Sequence, residues 1–232
     1  MTLSADESRH ARDVLRLQPG DEAYVFDGAG SEFLCMVSEF TRNGAILDLV
    51  QEVEPARPES PLNLTLAIAL LKGEKFDLVV QKATELGATR IVPVETSRAD
   101  VRIRNDDDAQ RKVTRWQRIA LEAAKQCGRA RLVEISAPVT FDSLIAQNDC
   151  ELRLTFAERD GGSLAEVSRD AAPGPTSVCA LIGPEGGWTI EETDSARAHG
   201  WNVITLGGRT LRAETAAIAI VTLLQHRFGD LI

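Results

Sequence analysis

The sequence predicts an α/β protein, with a mainly parallel sheet covered by helices on both faces and a small β-rich domain in front of it. Three observations carry this reading. Beyond residue 61, apolar β-rich runs alternate with segments of helical periodicity, which is the pattern of a parallel sheet. The first sixty residues hold short strand-like runs separated by turn signals. Between the two lies "EPARPESP" (54–61), three prolines among charged residues, which reads as a linker. The expected domains are therefore 1–60 and 61–232.

In the first domain, "ESRHARDVLRL" (7–17) predicts a short helix ending near Pro19-Gly20. Strands follow at 21–27, 32–40 and 45–53, with "DGAG" (27–30) and "RNG" (42–44) as the turns between them. In the second, "LNLTLAIALL" (62–71) suits a buried strand. Phe76, Val79, Val80, Ala83 and Leu86 then recur at helical spacing, closed by Gly87. "RIVPVE" (90–95) predicts a strand and 106–128 a long helix. That helix opens on three aspartates, favourable at the positive end of its dipole, and buries Val113, Trp116, Ala120, Ala123 and Cys127. Further strands are expected at 152–158, 176–183 and 201–207, and helices at 189–199 and about 213–228.

Composition excludes several classes. Apolar residues make up 44% and charged residues 26%, as in ordinary globular proteins. No basic-then-apolar leader opens the sequence, and the apolar runs 64–71 and 216–224 fall short of a membrane span. Cys35, Cys127, Cys150 and Cys179 lie far apart, as do His10, His199 and His226. Reduced thiols, no metal and a cytoplasmic location are the expectation. The net charge of −9 is uneven: residues 1–60 carry 5 basic against 12 acidic side chains, whereas 98–131 carry 10 against 5. A basic segment thus lies inside an acidic protein, with a solvated helix face as the plain alternative.

Two glycine loops point to chemistry. "LIGPEGGWTIEE" (181–192) joins a strand to a helix whose start is marked by Thr189 and Glu192 at capping-box spacing. "LGGRTLRAETA" (206–216) repeats the arrangement. Loops at the carboxyl ends of parallel strands are where α/β proteins bind ligands, so the two read as walls of one pocket. GxxxxGK[ST] and an early GxGxxG are both absent, which removes the common triphosphate and dinucleotide sites. Glu185 would repel a polyphosphate. A cationic ligand with a ribose and no phosphate fits better, and S-adenosylmethionine is one.

"GPEGGW" (183–188), "LGGRTLRAETA" (206–216), "KATELG" (82–87) and "EAAKQCGR" (122–129), in this order, resemble the RsmE family of small-subunit (16S) ribosomal RNA methyltransferases, which act on N3 of a uridine. "RHARDVLRLQPGD" followed by "DGAG" resembles that family's N-terminal domain. The resemblance implies a SPOUT-class sheet with a C-terminal trefoil knot, preceded by a PUA-like β-barrel that helps hold RNA. It also implies a homodimer, bent S-adenosylmethionine in the knot, and the 16S RNA or assembled small subunit as substrate. Carried over residue by residue, the cofactor contacts fall on Phe156, Ala157 and Glu158, on Ile182, Gly183, Glu185, Gly186 and Gly187, and on Leu206, Gly207, Leu211, Arg212, Glu214 and Thr215. Glu214 and Thr215 have helix capping as an alternative role.

Uridine N3 must lose a proton and be held in line with the methyl donor while charge spreads onto O2 and O4. Arg129 and Arg212 are the candidate donors to those oxygens, with Glu122 or Glu185, or solvent, to take the proton. For Arg129 the plain alternative is a cation at a helix C-terminus. Arg9, His10, Arg12 and Arg16 form the one basic cluster of the first domain and are its candidate RNA contacts. Competing readings are a knotted methyltransferase for another base or transfer RNA, and a non-catalytic RNA-binding assembly factor. A nucleotide-dependent oxidoreductase is disfavoured by the missing GxGxxG.

Overall fold

The structure is a computed structural model that describes residues 1–42, 44–170 and 174–231. Asn43, the middle of the expected "RNG" turn, lies outside the described residues. The chain divides into two compact units, Met1–Glu59 with Gly128–Leu132, and Ser60–Cys127 with Val133–Ile232. The sequence reading placed one boundary near residue 60. Nothing in the pattern around "CGRARL" marked 128–132 as part of the first unit.

In the first unit Ser4 caps α1 (Ala5–Arg9) by accepting from the Glu7 N–H at 3.2 Å. A π-helical turn, His10–Val14, continues α1. The expected helix ran to residue 17; Arg16, at φ 59°, stops it earlier. Then β1 (Glu22–Phe26), β2 (Glu32–Thr41) and β3 (Gly44–Val53) pair as an antiparallel sheet in that order. The Asp27 carboxylate makes the turn between β1 and β2 by accepting from the N–H groups of Ala29, Gly30 and Ser31 at 2.7–3.1 Å. Cys35, Val37 and Leu47 are fully buried beneath Leu3, Val25 and Phe33. Arg129, delivered by the 128–132 segment, is 7% exposed and ion-paired with Glu59 at 2.6 Å.

The second unit follows the alternation read from the sequence. Its elements are β4 (Asn63–Ala69), α2 (Lys75–Glu85), β5 (Arg90–Glu95), α3 (Asp106–Cys127), β6 (Glu134–Ile135), β7 (Val139–Thr140), α4 (Phe141–Ile145), β8 (Leu152–Phe156), α5 (Leu164–Asp170), β9 (Ser177–Ile182), α6 (Ile190–Ala198), β10 (Asn202–Ile204) and α7 (Ala213–Phe228). The strands pair in parallel in the order β10-β8-β9-β4-β5-β6, with β7 also beside β5. Burial on both faces explains the unbroken apolar runs. Leu64, Leu66 and Ile68 of β4 face a core shared with Phe76, Trp116 and Ile220, and Ala67 faces a second core with Phe141, Leu181 and Trp201.

The chain runs outward from β4 to β6 and then returns to place β9 beside β4. The loops after β8, β9 and β10 therefore gather at one edge. The segment after β8 also folds back along β10. Gly162 N–H donates to Val203 O at 2.8 Å, and Thr205 N–H donates to Gly162 O at 3.1 Å. β10 thus lies between β8 on one side and residues 161–162 on the other. Only glycine allows this approach, because a Cβ on Gly161 would stand 2.5 Å from the Ile204 carbonyl carbon and 2.6 Å from the Thr205 nitrogen, both backbone atoms. Gly161→Ala is expected to lower stability by about 1–3 kcal/mol, as overpacking does, read as a fall in the thermal midpoint. Gly162→Ala is the control for added side-chain volume, since its backbone is in an ordinary conformation and its Cβ would meet only Val203 O, at 3.9 Å.

Candidate cofactor and substrate cavity

A cavity of about 670 Å³ opens where the three loops meet. Phe156–Asp160 after β8, Ile182–Thr189 after β9 and Thr210–Ala213 before α7 line it, with Arg98, Ala216 and one face of α6 completing the wall.

The β9 loop is built around Trp188. Its indole N–H donates to the Phe156 carbonyl at 2.8 Å, which fastens the end of β9 to the end of β8. The ring occupies the space that Gly183 leaves empty: a Cβ there would lie 2.9 Å from the indole. Phe141 packs on the ring at 5.5 Å. Gly186 likewise makes room for Arg98, whose side chain donates to the carbonyls of Trp188 at 2.9 Å and Gly186 at 3.3 Å. Two of the loop's three glycines thus serve packing inside the protein. Only Gly187, at φ 66°, faces open space.

The helix start expected at Thr189 is a complete capping box. Glu192 is 6% exposed, and its two carboxylate oxygens accept from Thr189 N–H at 2.9 Å and Ser97 N–H at 2.8 Å. The carboxylate thereby joins the β9 loop to the loop after β5.

Glu185, read from the sequence as a bare negative charge, is paired with Lys75 Nζ at 2.9 Å. The lysine comes from the first residue of α2, a position that loop-local reading did not reach. Burial pushes the Glu185 carboxyl up, but the hydrogen bond and charge from Lys75 outweigh burial and leave it below its ordinary value. An ionised carboxylate held this way is a poor proton acceptor. Glu122, the other acceptor considered, sits on α3 beside Lys125 and does not line this cavity.

A family model for an RNA methyltransferase domain matches residues 58–225, and one for an RNA methyltransferase PUA domain matches 3–50. The chain belongs to the RNA methyltransferase family. It is 36% identical over 219 residues to ribosomal RNA small subunit methyltransferase E of Synechocystis, covering 93% of this chain and 69% of that protein. It is 28% identical to the Bacillus subtilis protein of the same name, covering 97% and 90%. The crystal structure of ribosomal RNA small subunit methyltransferase E from Neisseria gonorrhoeae bound to S-adenosyl methionine superposes with a TM-score of 0.89 at 30% identity, covering 100% of this chain and 93% of that one.

Of the residues that the resemblance singled out in this RNA methyltransferase, Phe156, Ala157, Glu158, Ile182, Gly183, Glu185, Gly186, Gly187, Leu211 and Arg212 line the cavity. Leu206, Gly207, Glu214 and Thr215 do not. The capping alternative for Glu214 is not realised: its Oε2 is buried without a hydrogen-bond partner among the described residues. Arg129 does not line the cavity either, and its guanidinium is committed to Glu59. Arg9, His10, Arg12 and Arg16 are all exposed, but Arg9 pairs with Asp6 and Arg12 with Asp13, which reduces the free positive charge of that cluster. Sequence reasoning missed Arg98, Asp160, Thr193, Asp194 and Arg197, all of which line the cavity. Positions 193, 194 and 197 were legible as one face of a helix, but nothing in the sequence said which way that face points.

Glu192→Ala removes the acceptor of two backbone N–H groups and is expected to cost about 2–4 kcal/mol in urea unfolding, with Glu192→Gln costing less because one acceptor remains. The Glu185 contribution to stability is full above the ordinary carboxylate range and fades as pH falls through the lowered value. In a carboxyl NMR titration, Lys75→Met is expected to raise the Glu185 midpoint. Equal midpoints in both proteins would show that the pair does not form in solution.

Proposed function

We propose that this chain transfers the methyl group of S-adenosylmethionine to N3 of a uridine in 16S ribosomal RNA, acting in the cytoplasm on the small subunit or its RNA. The observation that carries this reading is the convergence of three strand-end loops on one cavity in a chain of the RNA methyltransferase family. The cavity suits the cofactor. Its volume lies in the usual range for small-molecule sites, roughly 300–1,000 Å³. Ile182, Leu211, Ala213 and Ala216 offer apolar walls for adenine. Glu158 and Asp160 offer acceptors for ribose hydroxyls or an ammonium group, and Gly187 leaves the backbone open to approach. When bound, the cofactor would supply an electrophilic methyl group and leave as the neutral thioether S-adenosylhomocysteine, with the N3 proton passing to solvent because Glu185 is held by Lys75 and Glu122 lies off the cavity.

The chain's own residues supply position and charge. Arg212 lines the cavity at the start of α7, is exposed, and makes no ion pair among the described residues. It is the donor proposed for the uracil carbonyl oxygen O2, where negative charge grows as N3 loses its proton, before methylation neutralises it. Arg129 is assigned instead to holding residues 128–132 against Glu59. The return of the chain along β10, with residues 161–162 on its far side, supports a threaded C-terminal segment, the trefoil knot. The first unit is proposed to act as a PUA-like RNA-holding barrel, and the protein to work as a homodimer.

The test is methyl transfer from labelled S-adenosylmethionine to small subunits lacking their own uridine methylation, followed by digestion and nucleoside identification. Label in 3-methyluridine is expected, with a loss of about 100-fold in Arg212→Ala. Label in another nucleoside would overturn the substrate assignment, and none at all would overturn the activity.

A further inference from the structure

α6 carries a cavity-lining face that the proposed cofactor contacts do not use. Ile190, Thr193, Asp194 and Arg197 follow one another at helical spacing, and all four line the cavity. The opposite side of the helix is buried, through Glu192 and Ala196. Ile190 is 75% exposed, an apolar side chain standing at the edge of the cavity. Arg197 is fixed in place: one nitrogen donates to Asp194 at 3.0 Å and another to the Asp160 carbonyl at 2.8 Å.

We propose that this face receives the target uracil, with Ile190 packed against the ring, Arg197 facing O4 and Asp194 facing N3–H until its proton is lost, while Arg212 faces O2 and the freed N3 is left to the methyl donor. The proposal rests on the methyl-transfer reading above and adds to it the surface that selects the base. A methyl acceptor must lie in the same cavity as the donor, and α6 forms a wall of that cavity apart from the loops. The chemistry of the face matches the base. A uracil edge presents acceptor, donor and acceptor at O4, N3–H and O2. Guanidinium only donates and retains N–H groups beyond the two already used, whereas an ionised carboxylate only accepts. Cytosine would set an amino donor against the guanidinium and is rejected on that ground. Ile190, exposed in the protein alone, gains a partner when a flat base covers it.

Ile190→Ala tests this directly, because so exposed a side chain contributes little packing to the fold. Affinity for S-adenosylhomocysteine and the sedimentation coefficient are expected to stay at their wild-type values. Single-turnover transfer to small subunits is expected to fall at least about tenfold, and Ile190→Leu to recover most of it. Unchanged transfer in Ile190→Ala would overturn the proposal. A changed sedimentation coefficient would overturn it too, assigning the face to contact with a second copy of the chain. Failure of the wild-type protein to bind S-adenosylhomocysteine would overturn the cofactor reading itself.

Discussion

The cavity depends on the indole of Trp188. Parallel strands end in loops that have no reason of their own to adopt one arrangement, and a ligand site requires one. Here a single side chain ties two strand ends together: its N–H holds the carbonyl at the end of β8, and its ring fills the hollow at Gly183 just past the end of β9. An indole N–H only donates, so its place is set once the carbonyl is chosen. Glu192 extends the constraint sideways to the loop after β5, where Arg98 closes over the same backbone. The loop is therefore shaped from inside the protein, and its one open glycine is left for whatever enters. Preformed walls of this kind spare a ligand the cost of ordering them.

Charge has to be read through its partners. The segment 98–131 is basic in the sequence, yet its long helix spends much of that charge on neighbours: Arg111 on Asp108, Arg115 on Asp77 and Lys125 on Glu122, while Arg129 is held by Glu59. Binding that gains from counterion release needs cations free to meet phosphates. Arginines anchored on backbone carbonyls keep their charge, and Arg98 and Arg102 are of this kind. An acidic protein can thus act on RNA through a few cations placed beside its cavity, without a broad basic face.

Periodicity made most of the second unit legible. The run 62–71 and the strands at 90–95 and 176–183 are buried on both faces, so their apolar character was unbroken and their ends were marked by turns. Motif spacing indicated which loops would meet. What sequence could not show was pairing over long distances. Lys75 is 110 residues from Glu185, Glu192 is 95 from Ser97, and Trp188 is 32 from Phe156. None of these pairs leaves a local pattern. The same holds for 128–132, whose place in the first unit rests on extended pairing with Gly28 and Arg57. Glycine is ambiguous in the same way: Gly183 and Gly186 line the cavity and also make room for Trp188 and Arg98, and in sequence a missing Cβ looks the same for either role.

The capping box at the start of α6 links these levels. Thr189 and Glu192 end the loop at a fixed residue, and an α-helix turns about 100° per residue from its start. Starting one residue later would carry Ile190, Thr193, Asp194 and Arg197 about a quarter turn away from the cavity and bring their neighbours round. The capping carboxylate is also the group that accepts from Ser97, so it cannot move without releasing the loop after β5. The shape of the glycine loop, the rotational phase of the helix and the contact with the neighbouring loop are therefore set together. One buried glutamate, recognisable in the sequence as the fourth residue of T-x-x-E, fixes which side chains of α6 line the cavity.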